Sequence, residues 1–228
     1  MNDYIQGSYS GAQAGIQDRI SFVRSVYLWL MAGIAVAGLG AITSPIMVRA
    51  ISAIAGRYFM LVLALIQFGA LIWAQSVSRR SPLNRIAFGV YTFLSGTIAG
   101  LFALAIGQAA GYGIVLAAFG MTLGGFLALT ITALVTRKDF SFLSSFVLIG
   151  LVVAVIGSIV GIFLRLPALD ILISVIVVLA CSAKILWDTS AMLRTRDTND
   201  AAGFALSLFI SLYLIFIHLL NLLGGRRN

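Results

Sequence analysis

Long apolar runs separated by short polar connections constrain this chain more than any other feature of its sequence. A helix needs about 20 mainly apolar residues to cross the ~30 Å hydrocarbon core of a bilayer. Within a few residues at each end, the stretches that qualify are 26–42, 58–74, 86–107, 113–135, 142–164, 171–192 and 201–223. They are continuous and lack the alternation of lipid-facing strands, so they predict transmembrane helices and not a barrel.

The composition excludes a soluble domain of ordinary type. Of the 228 residues, 61% are hydrophobic and only 10% are charged, whereas soluble domains carry roughly 25% charged residues. A net charge of +8 would suggest a nucleic-acid partner in a soluble protein. Here the basic residues lie singly or in pairs between apolar runs, which is how Lys and Arg set membrane orientation. We therefore expect the lipid bilayer, and no nucleic acid, around this chain.

The pattern as a whole predicts an all-α integral membrane protein built as a bundle of seven transmembrane helices. The short connections, such as residues 108–112, favour antiparallel packing of successive helices. We expect a cytoplasmic N-terminal tail at residues 1–24, a transmembrane domain at 25–224 and a short C-terminal tail at 225–228. The N-terminal segment lacks the small-residue cleavage site of a signal peptide.

Basic residues are more frequent on the side of the bundle that holds the N-terminus. That side has Arg19, Arg24, Arg79, Arg80, Arg85, Arg137, Lys138, Arg194 and Arg196, and the other has Arg49, Arg57, Arg165, Arg226 and Arg227. The positive-inside rule then predicts a cytoplasmic N-terminus and an external, periplasmic C-terminus.

Close helix packing is indicated by three G-x-x-x-G spacings, at Gly96–Gly100, Gly120–Gly124 and Gly157–Gly161. Small residues let neighbouring helix backbones approach in lipid, so each spacing could seat a neighbouring helix. A chain with 23 glycines also produces such spacings by chance. Their positions in the middle of the runs favour a compact bundle.

The sixth apolar run carries the most informative ionisable groups. Lys184 and Asp188 are four residues apart, so they share one helix face about 6 Å apart. With Arg194 at the boundary, Asp188 lies roughly 9 Å deep and Lys184 roughly 15 Å deep. One interpretation is a satisfied ion pair with Lys184 snorkelling outward. The other is that Asp188 faces the bundle interior and switches a polar path with pH or a bound cation.

A polar stripe on the seventh run matches this face. Ser207, Ser211, His218 and Asn221 return to one side of a helix, and such groups seek partners inside a membrane protein. A single histidine without nearby carboxylates makes no metal site. With one cysteine, Cys181, no intramolecular disulfide can form. We expect no metal and no cofactor.

The one class of enzyme that the sequence faintly suggests is an intramembrane serine protease. It needs a serine nucleophile at a Gly-flanked turn and a histidine on another helix. Ser95 precedes Gly96, but Phe93 stands where the leading glycine belongs, and the run shows no break. The sequence therefore favours no catalytic residues and a protein that is not an enzyme.

Four segments resemble the Bax inhibitor (TMBIM) family, most closely its bacterial YccA branch. They are residues 136–143 (TRKDFSFL), 162–169 (IFLRLPAL), 185–190 (ILWDTS) and 205–214 (ALSLFISLYL). The resemblance extends from about residue 22 to residue 223. It implies six helices around a central seventh and a place in the bacterial inner membrane. It further implies links to pH-dependent calcium leak, to cell-stress control and to restraint of the FtsH membrane protease.

The family pattern also implies site residues, and here the chain departs from it. Many members carry a pair of aspartates on the sixth and seventh spans that acts as a pH sensor. Asp188 matches the first, but Ser211 stands where we place the second. Arg79 and Arg80 are candidates for the arginine that latches the span-six acid.

Two functions remain, with Asp188, Lys184, Ser211 and His218 as the candidate gating or pH-sensing residues of either. The first is a regulator that docks on an FtsH-type membrane protease complex. The second is a leak pathway for calcium ions or protons, gated at Asp188. The missing second aspartate favours the regulator.

Overall fold

Helices follow one another along the whole described chain. The computed structural model describes the backbone of residues 2–164, 166–195 and 198–225, and the side chains within 18–161, 166–195 and 198–225. In those ranges the elements are α1 (Asn2–Ala55), a 3-10 turn (Gly56–Tyr58), α2 (Phe59–Ser76), α3 (Leu83–Ala110), α4 (Tyr112–Thr136), α5 (Leu143–Leu164), α6 (Pro167–Arg194) and α7 (Ala201–Gly224). Each predicted apolar run falls on one of these α-helices, which confirms the prediction of an all-α membrane protein.

The number of membrane crossings is not confirmed as seven. Six stretches are long and apolar enough to span a bilayer, and the first of them, Asp18–Ser76, is a single stretch of 59 residues. It is continuous because the 3-10 turn joins α1 to α2 without an extended residue between them. At 1.5 Å per residue, 59 residues would extend almost 90 Å, which is far more than one bilayer core requires.

The Gly96–Gly100 spacing seats a neighbouring helix, as predicted. A side-chain carbon at Gly96 would overlap the backbone carbonyl of Ala37 on α1, and one at Gly100 would lie 2.6 Å from the Cα of Ala41. Only glycine therefore permits this contact between α1 and α3. At Gly157–Gly161 the approach to α6 is looser, with Ile173 3.1 Å from a carbon placed at Gly157.

The Gly120–Gly124 spacing is not in contact with a neighbouring helix in the described part of the chain. Among the described residues, no atom lies within 4 Å of a side-chain carbon built at either glycine. The prediction that this spacing seats a helix of the same chain is therefore wrong. A G-x-x-x-G spacing shows where close approach is possible, and the packing of the whole bundle decides whether a helix occupies it.

Helix α7 lies against most of the bundle, since it packs on α1, α2, α3, α4 and α6. Its Phe209 contacts Phe88 and Tyr91 of α3 in edge-to-face geometry, with ring centroids 6.3 and 6.0 Å apart. Only residues 195–200 separate α6 from α7 in the sequence, and the two helices are in extensive contact. Polar residues of these two helices therefore face each other, which positions the site.

Candidate functional site

The Lys184–Asp188 pair forms the centre of a closed polar network between α6 and α7. The Lys184 Nζ donates to Asp188 Oδ2 at 2.7 Å and also to Ser207 Oγ. Ser207 Oγ in turn donates to Asp188 Oδ2 at 2.8 Å. Asp188 is only 8% exposed. The three side chains neutralise and hydrogen-bond one another, as charged groups inside a membrane protein must.

Ser207, and not Ser211, is the serine that contacts Asp188. Ser211 is fully buried, and its Oγ donates to the backbone carbonyl of Ser207 at 3.2 Å. The reason is the register between the antiparallel helices α6 and α7. Asp188 lies seven residues before Thr195, and Ser207 lies seven residues after Asp200, so the two are level. Ser211 lies a turn deeper.

His218 belongs to a second polar group at the opposite end of α6 and α7. Its Nδ1 lies 3.0 Å from Ser174 Oγ, and Asn221 Nδ2 donates to the same oxygen at 3.1 Å. Ser174 is the one hydroxyl in the apolar segment 171–180, which is the signal that could have revealed it. The structure therefore does not bring His218 together with Lys184 and Asp188 into one hydrogen-bonded group.

Two cavities correspond to these two groups. The first, which we call the charged cavity, measures about 550 Å³ and is lined by Leu71, Gln75, Ser78, Leu151, Lys184, Asp188, Asp200, Gly203, Phe204, Leu206, Ser207 and Ile210. The second, the histidine cavity, measures about 430 Å³ and is lined by Ser158, Gly161, Pro167, Asp170, Ile173, Ser174, His218 and Asn221. The buried residues between the two levels include Val177, Ala180 and Cys181 of α6 and Leu212 and Ile215 of α7.

Arg79 pairs with Asp200, at the edge of the charged cavity. The Arg79 Nε lies 3.3 Å from Asp200 Oδ2, and the other carboxylate oxygen of Asp200 accepts from the backbone N–H of Gly203 at 3.0 Å, which caps the start of α7. The family pattern makes Arg79 a candidate partner of the span-six acid, whereas the acid that Arg79 contacts here is Asp200. In the structure Lys184 provides the cation for Asp188, and Arg79 serves Asp200.

A further ion pair joins the connection between α4 and α5 to the end of α6. Arg194 Nη2 lies 2.7 Å from Asp139 Oδ1, and Ser141 N donates to the same oxygen at 2.7 Å. Hydrogen bonds from Ser141, with a smaller effect of Arg194, hold the pKa of Asp139 below its ordinary value. The carboxylate of Asp139 is therefore charged at neutral pH and available to this pair.

The residues of the protease hypothesis have separate partners. Ser95 Oγ accepts from Gln67 Nε2 at 3.0 Å and donates to the carbonyl of Tyr91 at 2.8 Å, inside the unbroken helix α3. His218 contacts Ser174. Among the described residues, no group of three His, Cys, Asp or Glu side chains is arranged to hold a metal ion.

Fold and site together define a helical, multi-pass membrane protein whose last two helices enclose a network of charged and hydroxyl groups. The sequence model of the family described as "Inhibitor of apoptosis-promoting Bax1" matches residues 19–228. The chain therefore belongs to this Bax inhibitor family, as the resemblance predicted.

Named relatives in bacteria extend this result. The chain is 37% identical to "Modulator of FtsH protease YccA" of Escherichia coli over 168 residues, which are 72% of this chain and 74% of that protein. The same identity and coverage hold for "Inner membrane protein YccA" of another Escherichia coli strain. An uncharacterised protein of Campylobacter jejuni is 29% identical over 203 residues, or 89% of this chain and 87% of that one.

Proposed function

We propose that this protein is a bacterial inner-membrane modulator of an FtsH-type membrane protease, with a role in the response to stress. The observation that carries the proposal is the 37% identity, over 72% of the chain, to the Escherichia coli protein named as a modulator of FtsH protease. In this proposal the protein acts by docking its helices or connections on the protease complex.

The geometry of the α6–α7 network fits a regulator better than a leak pathway for calcium ions or protons. Asp188 is bonded to both Lys184 and Ser207, and its partner on α7 is a hydroxyl. A pathway would also have to cross the apolar residues between the charged cavity and the histidine cavity, such as Val177 and Ile215.

We further propose that α1 and α2 cross the membrane separately, which makes seven crossings with α7 as the central helix. The contacts of α7 with α1, α2, α3, α4 and α6 support the central position. The excess of basic residues on the side of the bundle that holds the N-terminus supports a cytoplasmic N-terminal tail at residues 1–24 and an external C-terminal tail at 225–228. The transmembrane domain between them is residues 25–224.

The N-terminal tail gives the first test of this function. Deletion of residues 1–18 removes no residue of the described core, whose first members are Phe22 and Val26, so the bundle should fold. We expect the deletion to weaken control of the protease severalfold in cells, measured as the half-life of a membrane substrate. The matched control replaces residues 1–18 with a scrambled polar sequence of equal length. Unchanged substrate half-life in the deletion strain would argue against a role for the tail.

Purified protein in liposomes separates the regulator from the leak pathway. We expect no release of calcium or protons at any pH, together with copurification of the protease and slower proteolysis. A pH-dependent release that Asp188→Asn alters would overturn the regulator proposal.

A further inference from the structure

The histidine cavity contains a carboxylate that has no counter-ion in the described part of the chain. Asp170 lies in the first turn of α6, and it is exposed. Its Oδ1 lies 3.5 Å from the position that a side-chain carbon of Gly161 would occupy, so the carboxylate is directed towards α5. Ser158 lies one turn before Gly161 on the same face of α5 and lines the same cavity. Among the described residues, none makes a hydrogen bond or an ion pair with the Asp170 side chain.

Most hydrogen-bond donors of the histidine cavity already have partners within the protein. Asn221 Nδ2 donates to Ser174 Oγ at 3.1 Å. Ser174 is only 1% exposed, so its own O–H needs a partner, and His218 Nδ1 at 3.0 Å is the acceptor beside it. Ser158 Oγ donates to the carbonyl of Ala154 at 2.7 Å. The donors that remain are the second N–H of the Asn221 amide and the N–H of His218 Nε2.

The groups that are available to a ligand are therefore mainly acceptors. They are the two oxygens of Asp170, the amide oxygen of Asn221 and the lone pairs of Ser158 Oγ. Apart from His218, no basic residue is among the described residues that line the cavity. The start of α6 and the end of α7 lie beside it, and the opposite partial charges of these two helix ends offset each other. The Asp170 carboxylate thus sets the sign of the cavity, which suits a cation.

The number of acceptors indicates which kind of cation fits. A calcium ion takes six to eight oxygen ligands, and Asp170, Asn221 and Ser158 together supply about four. A primary ammonium has three N–H donors, which is one for each of these three residues. The cavity measures about 430 Å³, within the range of small-molecule sites, so it has room for carbon atoms attached to the ammonium.

We propose that the histidine cavity binds a primary ammonium group on a short aliphatic chain. Asp170, Asn221 and Ser158 accept its three N–H donors, and the aliphatic part lies along Pro167 and Ile173 of α6. This site is separate from the charged cavity, and it requires no contact with a protease.

Isothermal titration calorimetry of the full-length protein in detergent at pH 7 tests this site. The two probes are butylammonium and butyltrimethylammonium, which carry the same charge and the same chain. The quaternary ion has no N–H, so we expect it to bind at least about tenfold more weakly, as the loss of one charge-assisted hydrogen bond predicts. Equal affinity of the two ions, or no saturable binding of butylammonium, would overturn the proposal.

Variants assign the ammonium to this cavity. Asp170→Asn keeps the size of the side chain but removes its charge, so it should weaken butylammonium binding about tenfold or more. Ser158→Ala removes one acceptor and should weaken it severalfold. Asp200→Asn is the matched control, because it removes the same charge from the charged cavity and keeps a side chain that caps the start of α7; its affinity for butylammonium should be unchanged.

The stability of each variant is measured by unfolding in mixed micelles with SDS, so that a loss of binding is not confused with a loss of structure. Weaker binding in a correctly folded Asp200→Asn, together with unchanged binding in Asp170→Asn, would place the ammonium in the charged cavity and contradict the proposal.

Competition with lipids distinguishes two sources of the same ammonium chemistry. Short-chain phosphatidylethanolamine and phosphatidylcholine of equal acyl length are added to the protein with bound butylammonium. Displacement by the ethanolamine lipid alone would identify a lipid headgroup as the source, and displacement by neither lipid would identify a soluble amine; both results support an ammonium site. Equal displacement by both lipids would show that an acyl chain fills the cavity, and the proposal would then be wrong.

Discussion

At the scale of the residue, the Lys184–Asp188 pair is held by a hydroxyl from the neighbouring helix. Sequence spacing alone predicts that the two side chains meet, because they are four residues apart on one helix. It does not predict that Ser207 bridges them, with its oxygen 2.8 Å from Asp188 Oδ2. Because Ser207 lies on α7, its hydrogen bonds make the Lys184–Asp188 pair a connection between α6 and α7.

Removal of one charge should destabilise the protein more than removal of both. Asp188→Asn leaves the Lys184 ammonium buried without its counter-ion, which should cost about 3 kcal/mol in the free energy of unfolding. The double variant Lys184→Met with Asp188→Leu should recover most of that loss, because an apolar pair of similar volume replaces a buried ion pair at little cost. Unfolding in mixed micelles with increasing SDS measures both. A double variant as unstable as Asp188→Asn would contradict this account.

The two serines of α7 should differ, although both lie on the same face. Ser207→Ala removes hydrogen bonds between two helices and should cost about 1 kcal/mol, in the range of interhelical bonds measured in membranes. Ser211→Ala removes only a bond to the carbonyl of Ser207 within the same helix and should cost less than half as much. The same unfolding assay compares them, and equal losses would show that Ser207 makes no special contribution.

At the scale of the element, α1 and α3 meet through glycine. The backbone of Ala37 occupies the space where a side chain of Gly96 would stand. The sequence offered three G-x-x-x-G spacings with similar local context, and the structure places them in three different situations. Gly96–Gly100 is in close contact with a neighbouring helix, Gly157–Gly161 is in looser contact, and Gly120–Gly124 has no such contact among the described residues. The position of the neighbouring helix causes these differences, and a spacing does not encode that position.

A single methyl group should distinguish these glycines. Gly96→Ala should destabilise the protein by about 2 kcal/mol, because a well-packed interface resists added volume. Gly120→Ala is the control, with no atom within 4 Å of the added carbon among the described residues. It should leave stability unchanged or raise it by up to about 1 kcal/mol, the helix-propensity gain over glycine. A comparable loss in both variants would contradict the assigned contact between α1 and α3.

At the scale of the whole molecule, the number of crossings decides on which side of the membrane the C-terminus lies. Seven crossings place the two termini on opposite sides, and six place them on the same side. Nine basic residues lie on the side of the bundle that holds the N-terminus and five on the other, so the rule that sets orientation predicts a cytoplasmic N-terminus.

Reporter fusions would determine this topology. Alkaline phosphatase is active only outside the cytoplasm. Green fluorescent protein that is exported in an unfolded state does not become fluorescent, so its fluorescence shows that the fusion site is cytoplasmic. We expect phosphatase activity from a fusion after Gly224 and fluorescence from a fusion at Asp139, in the connection between α4 and α5. With a cytoplasmic N-terminus, the reverse pattern of fluorescence after Gly224 and phosphatase activity at Asp139 would show an even number of crossings and would exclude separate crossings by α1 and α2.

The sequence by itself determined the class of protein, the positions of the helices and the family. It did so because a bilayer requires about 20 apolar residues for each crossing and tolerates few charges, so these properties are local along the chain. Only the tertiary structure decided that Ser207 replaces Ser211 beside Asp188, that His218 contacts Ser174, and that Asp200 shares a cavity with Lys184. Each of these depends on the register between two helices, which the packing of the bundle sets and which is not a local property of the sequence.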